Sequence, residues 1–140
     1  MNVFIIGSPL ETARALDKRR LNKQIIECHQ VLFALDGTSK AWAKHPVTLS
    51  YKKDVGWLIT YTWCLMHFKE GRIDDAKQYS ELAQLLRPAF HTQEYFDQMK
   101  RRLFTKDSKH YAQWAYLGTS EVNWYFVEGE WRYYKNGKKI

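Results

Sequence analysis

Cysteine and proline are scarce in this sequence, and no stretch of it is apolar enough to cross a bilayer. Its two cysteines, Cys28 and Cys64, lie far apart, each inside an apolar pattern. That excludes a disulfide framework, and no His or Cys falls at zinc-ligand spacing. Both cysteines are expected to serve as small core hydrophobes. Three prolines and seven glycines in 140 residues exclude collagen-like, Pro-rich and Gly-rich architectures. The longest apolar run, Gly56 to Phe68, contains Thr and His and is too short to span a membrane. The opening MNVFIIG is too short and uncharged for a signal peptide. The expected setting is reducing and intracellular (cytoplasmic), with no membrane partner. A P-loop, a Rossmann glycine pattern, a nucleophile elbow and a metal motif are also missing, so no cofactor and no metal are expected.

What is present is positive charge and aromatic rings. Lys and Arg number 22 against 15 Asp and Glu, a formal charge of +7, and aromatics make up 16% of the chain. The excess favours a polyanion, either nucleic acid or an anionic surface. Hydrophobic residues at 45% suffice for one core, so residues 1–140 read as a single domain with no linker and no repeat.

The pattern is mainly helical. Residues 2–6 are β-branched and aromatic and read as a short extended strand. Ser8-Pro9-Leu10-Glu11 is a helix start: Ser8 caps, Pro9 suits the first turn and Glu11 completes a capping box. A second helix is predicted over 19–35, with Leu21, Ile25, Cys28, Leu32 and Leu35 as its buried stripe. Arg20, Lys23, Gln24, Glu27 and Gln30 fall opposite. Residues 37–50 read as a loop. A third helix over 51–70 is apolar nearly all round and should be central. Further helices are expected at 73–86, 91–104 and 107–116. The stretch 123–134, NWYFVEGEWRYY, alternates about Glu128-Gly129 and reads as a hairpin or an aromatic tail, followed by the basic KNGKKI. The fold class is therefore a compact helical domain with a short N-terminal extended segment and an aromatic C-terminal hairpin or tail.

Three constellations could carry chemistry. Glu27 shares a helix face with Arg20, Lys23 and Gln24. Such a carboxylate could move a proton or stabilise a cationic, sugar-like transition state; it could equally belong to a solvated face with a Lys23–Glu27 pair. Basic clusters recur at Lys18-Arg19-Arg20-Lys23, at Lys40 and Lys44 around Trp42, at Lys100-Arg101-Arg102, and at Arg132/Lys135/Lys138/Lys139. Basic groups interleaved with rings suit phosphate contacts plus base stacking, or else are separate solvated faces. Trp131-Arg132-Tyr133-Tyr134-Lys135 could stack on bases, or pack its rings on the core.

The stretch Leu21–Pro46, LNKQIIECHQVLFALDGTSKAWAKHP, resembles the pyrimidine-dimer DNA glycosylase (phage endonuclease V) family. A helix carrying an essential Glu is followed there by a Gly-Thr-Lys-aromatic loop ending in His-Pro; here these map to Glu27, Gly37, Lys40, Trp42 and His45-Pro46. Scattered positions from Phe96 to Tyr111 and in the tail VEGEWRYYKNGKK are also similar. The resemblance implies an all-helical fold, double-stranded DNA as partner, a monomer, and no metal. It implies a glycosylase with AP-lyase activity on damaged or modified pyrimidines. The N-terminal amine, of Met1 or of Asn2, attacks C1′ and displaces the base, with Glu27 as the key carboxylate. Expected DNA contacts are Arg14, Arg19, Arg20, Lys23, Gln24, Lys40, Trp42, Lys44, His45, Trp131, Arg132, Tyr133, Tyr134 and Lys135. Three departures are visible: Ile26 and Gln30 stand where the family carries arginines, the second residue is Asn2, and the N-terminal segment is a few residues longer than in the phage enzyme. They keep open a non-catalytic DNA-binding or anti-host protein of the same fold. A basic module for an RNA or protein partner is a third reading.

Overall fold

A computed structural model of the chain describes residues 1–120 and 122–135, together with the backbone of 138–139. Of the predicted basic tail, residues 136, 137 and 140 and the side chains of 138 and 139 lie outside the described residues.

Six α-helices come first: α1 (Pro9–Ala15), α2 (Lys18–Leu35), α3 (Pro46–Ser50), α4 (Val55–Lys69), α5 (Ile73–Leu85) and α6 (Gln93–Lys106). A 3-10 helix, Ala112–Leu117, leads into an antiparallel sheet of β1 (Val122–Val127), β2 (Glu130–Lys135) and β3 (Lys138–Lys139), in that order. The predicted hairpin is real, in a register that pairs Val127 with Glu130 and Asn123 with Tyr134. Its turn holds Glu128 at φ 54° and Gly129 at φ 80°, the left-handed pair a tight hairpin requires.

The capping box forms: Ser8 Oγ accepts from the Glu11 N–H at 3.1 Å, and Glu11 Oε1 accepts from the Ser8 N–H at 3.3 Å. The central helix is α4, which packs on α1, α2 and α5 and buries Trp57, Leu58, Tyr61, Cys64 and Leu65. Trp57 stacks between Tyr51 and Tyr61, with ring centroids 5.3 and 4.8 Å away. Both cysteines are buried and unpaired, and burial pushes each thiol up to about 12.

Four expectations need correction. Residues 2–6 are extended but pair with no strand; side chains take the partner's place. The N–H groups of Asn2, Phe4 and Ile6, which point one way along an extended chain, donate to Glu27 Oε2 (3.1 Å), Gln24 Oε1 (2.6 Å) and Thr12 Oγ1 (3.1 Å). The Asn2 carbonyl accepts from Gln24 Nε2 (2.9 Å), and the Phe4 carbonyl from the Tyr61 hydroxyl. Val3 and Ile5 are thereby held in the core. Second, the buried stripe of α2 is Leu21, Gln24, Cys28 and Val31, while Ile25, Leu32 and Leu35 are only partly buried. The helix is rotated toward Gln24 because its amide is consumed by the N-terminal backbone. Third, the 37–50 loop ends in α3, capped by His45 with Pro46 in its first turn, and α4 begins at Val55 rather than 51. Fourth, the helix expected at 107–116 is a turn followed by the 3-10 helix. Asp107 leaves helical geometry at φ −151°, and its carboxylate caps the turn by accepting from the His110 N–H at 3.1 Å.

Candidate active site

The first two residues and one face of α2 enclose a cavity of about 250 Å³, closed on another side by the last turn of α6. Its walls include Met1, Arg19, Arg20, Lys23, Glu27 and Lys106. Glu27 arrives there because it lies three residues after Gln24, so both face the N-terminal segment. Its two oxygens are divided. Oε2 accepts from the Asn2 N–H at 3.1 Å, and Oε1 faces Lys23 Nζ at 3.7 Å. The Glu27 side chain is only 13% exposed whereas that of Lys23 is 68% exposed. The ion pair is therefore weak, and the backbone contact does more to orient the carboxylate.

Met1 lines the same cavity, and its amine feels the charges of Glu27, Lys106 and Lys23. Burial depresses its pKa below the ordinary α-amine value. Glu27 pulls the other way, and Lys106, Lys23 and Arg102 add to the depression. A depressed amine is neutral, hence nucleophilic, over a larger part of the neutral range. Met1 is tethered from the far end of the chain: the Tyr125 hydroxyl of β1 donates to the Met1 carbonyl at 3.0 Å and lies 3.3 Å from Asn2 Oδ1.

His45 is close enough to that amine for their positive forms to repel. Partial burial, then the amine, lower the imidazole pKa to about 4. Its Nδ1 accepts from the Val47 N–H at 3.1 Å. The neutral ring therefore carries its proton on Nε2, where it can donate but cannot accept from the amine. Trp42 meets His45 edge to face at 5.3 Å, and His45 meets Tyr125 in the same way at 5.8 Å.

The remaining expected contacts fall in several different places. Arg19, Arg20 and Lys23 line the cavity with Glu27. Arg20 is already engaged by Asp17 (3.1 Å) and Asp107 (3.6 Å), whereas Arg19 has no ion pair among the described residues. Lys40, Trp42 and Lys44 are exposed in the loop before α3. Gln24 is 2% exposed and spends its amide on Asn2 and Phe4, so it positions the N-terminus instead of reaching outward. Arg14 is exposed on α1 and does not line the cavity. Trp131 is packed among Phe90, Tyr95, Trp124 and Phe126. Arg132 is tied to Glu130 (2.9 Å) and Glu128 (3.1 Å). Tyr133 covers Trp124 at 4.1 Å and Tyr134 meets Tyr125 at 5.3 Å; Lys135 is exposed at the end of β2.

Two residues at the site went unnoticed in the sequence. Lys106 lies one helical turn after Arg102 and so extends the Lys100–Arg102 cluster, but the helix was expected to stop at 104. Tyr125 could have been found from the alternation of β1, which buries Tyr125 and Val127 together.

A family model described as pyrimidine dimer DNA glycosylase matches residues 1–72. The chain belongs to this family. The matched half contains Glu27, Lys23, the N-terminal segment and the loop through His45; Lys106 and Tyr125 lie beyond it. No curated protein and no solved structure matches the chain. The family is one of DNA glycosylases, so its substrate is DNA. No described helix is long and apolar enough to cross a membrane. Among the described residues, no group of three or more His, Cys, Asp or Glu side chains could hold a metal ion.

Proposed function

We propose that this protein is a DNA glycosylase with AP-lyase activity on damaged or modified pyrimidines in duplex DNA. Its N-terminal amine is the nucleophile and Glu27 the working carboxylate. The supporting observation is that Met1 and Glu27 line one cation-walled cavity, and that burial favours the neutral form of the Met1 amine, which feels the Glu27 charge.

The neutral amine attacks deoxyribose C1′, and the C1′–N bond to the base breaks as positive charge builds on the sugar. The Glu27 carboxylate stabilises that charge. The base leaves with the bonding pair and takes up a proton. Loss of the amine proton opens the sugar ring at O4′ and gives an imine. Removal of a C2′ proton then expels the 3′ phosphate by β-elimination, and water releases the amine. Unstacking a base at the site costs a few kcal/mol, least at a lesion. Arg19, Lys23 and Lys106 supply positive charge for the flanking phosphates, and Lys40 and Lys44 extend it along the loop.

With Met1 in place the amine is its own. If Met1 is removed, the new amine of Asn2 is the atom now 3.1 Å from Glu27 Oε2; with Met1 retained, its amine still feels the Glu27 charge. Intact mass identifies which terminus the protein carries. Borohydride trapping on abasic-site duplex tests the mechanism: a covalent adduct mapping to the N-terminal residue is expected, together with base release from a lesion panel. No adduct and no base release, with duplex binding retained, would leave a non-catalytic DNA-binding protein of this fold.

A further inference from the structure

Arg19, Arg20, Lys23 and Lys106 all line the cavity, but they are not equivalent. Arg20 is held by Asp17 and Asp107, and Lys23 faces Glu27 Oε1 at 3.7 Å. Arg19 and Lys106 pair with no carboxylate among the described residues. A guanidinium keeps its protons in a protein and does not act as a nucleophile. Lys106 is therefore the side-chain amine of these walls that no carboxylate pairs with. It stands in the last turn of α6, away from the N-terminal segment that forms another wall. Its charge opposes that of the Met1 amine, and Glu27 attracts both. Two amines and one carboxylate thus surround the same space. Desolvation, followed by the nearby charges of Arg102, Lys23 and Arg20, lowers the Lys106 pKa from the ordinary lysine value, with Glu27 opposing. A lysine crowded by cations gives up its proton more readily, and the neutral amine forms imines with carbonyl groups.

We propose that Lys106 is a second imine-forming nucleophile of this cavity, acting on the C1′ aldehyde of a deoxyribose that has already lost its base. The inference takes its substrate from the glycosylase reading above. The two amines have different work: the N-terminal amine displaces a base, whereas Lys106 needs only the open-chain aldehyde. The Nζ lone pair bonds to C1′ as the carbonyl pair moves onto oxygen. That oxygen leaves as water, with one proton from the nitrogen and one from solvent, and a protonated imine remains. Glu27 takes a proton from C2′. The electron pair left behind expels the 3′ phosphate from C3′, and water then frees Lys106. An abasic site is therefore nicked even where the N-terminal amine is blocked.

The test uses full-length protein carrying a single acetyl group on its α-amine, located there by peptide mass, and duplex DNA with an aldehyde abasic site. Borohydride trapping should still give an adduct, slower than in unmodified protein, on the peptide that contains Lys106. Lys106→Arg keeps a cation for phosphate and for the end of α6 but cannot form the imine. In the acetylated protein it should remove the adduct without a matching loss of duplex affinity; a matching loss would make Lys106 a phosphate contact alone and overturn the inference. Acetylated protein that gives no adduct, while unmodified protein traps at its N-terminus, overturns this inference and leaves the proposed mechanism standing. An adduct on Lys106 of unmodified protein, with none at the N-terminus, does the reverse. An adduct on Lys23 or another lysine, or one that survives Lys106→Arg, overturns the choice of Lys106. No adduct in either form, with duplex still bound, overturns both readings.

Discussion

Replacing Gln24 with Ala should damage the fold and the site together. The Gln24 amide accepts from the Phe4 N–H at 2.6 Å and donates to the Asn2 carbonyl at 2.9 Å, in a position only 2% exposed. Truncation leaves two buried backbone groups unpaired, at roughly 1–3 kcal/mol each. A loss of about 2–4 kcal/mol is therefore expected, a large share of the 5–15 kcal/mol typical of a domain. The upper end is limited by release of residues 1–6 into water, which restores their hydrogen bonds but exposes Val3 and Ile5. Urea denaturation followed by tryptophan fluorescence measures the loss, and amide exchange at Phe4 reports whether the segment has come free. Gln24→Glu separates the two bonds: it keeps the acceptor for Phe4 but sets a carboxylate against the Asn2 carbonyl. Its defect should be at least as large at neutral pH and ease in acid, where a protonated carboxyl can donate. A Gln24→Ala protein within about 0.5 kcal/mol of wild type, the range of ordinary surface changes, and with unchanged Phe4 exchange, would refute the idea that this side chain replaces a strand.

Glu27→Gln should reduce trapping by two orders of magnitude or more, the scale of a lost acid–base or charge-stabilising group. Because Glu27 raises the amine pKa, the same substitution should move the rising limb of the trapping pH profile to lower pH; movement upward would contradict the assigned geometry. Burial holds the imidazoles of His91 near 3 and His45 near 4. Both pKa values are depressed on folding, so the unfolded chain takes up protons first. Stability should decline as pH falls below about 6.5, and His91→Phe should flatten that slope in urea titrations at pH 4–7. Cys28 and Cys64, with thiols near 12, should resist iodoacetamide at pH 8 until the protein unfolds; rapid alkylation of the native protein, read by mass, would show the core to be open.

Much of this architecture could be read from the residues. Ser8-Pro9-Leu10-Glu11, the apolar α4 and the alternation around Glu128-Gly129 are local signals, and local energetics decided them. The errors came from long-range pairing. Nothing in residues 2–6 tells a strand from an extended segment satisfied by side chains, because the difference lies in Gln24, Thr12 and Tyr61. Gln24 reads as an outward residue because polarity ordinarily accompanies exposure; a buried amide with both its functions paired looks no different in sequence. His45-Pro46 carries the signature of a helix start, a capping side chain followed by proline in the first turn, inside a stretch whose composition reads as loop. At the site, Glu27 and the basic residues of α2 were legible from spacing. Lys106 and Tyr125 reach the cavity from distant parts of the chain, which no periodicity reports.

The hydrogen bond from Tyr125 to Met1 joins residues 124 positions apart. In the order of synthesis, Met1 is made 124 residues before the side chain that holds it. A nascent chain still on the ribosome has Glu27 and its helix but no Tyr125 to seat the terminus, so the amine remains unplaced until β1 emerges. The hairpin therefore sets when the N-terminus is seated, and fragments ending before residue 122 should carry the family's matched half with that terminus unplaced.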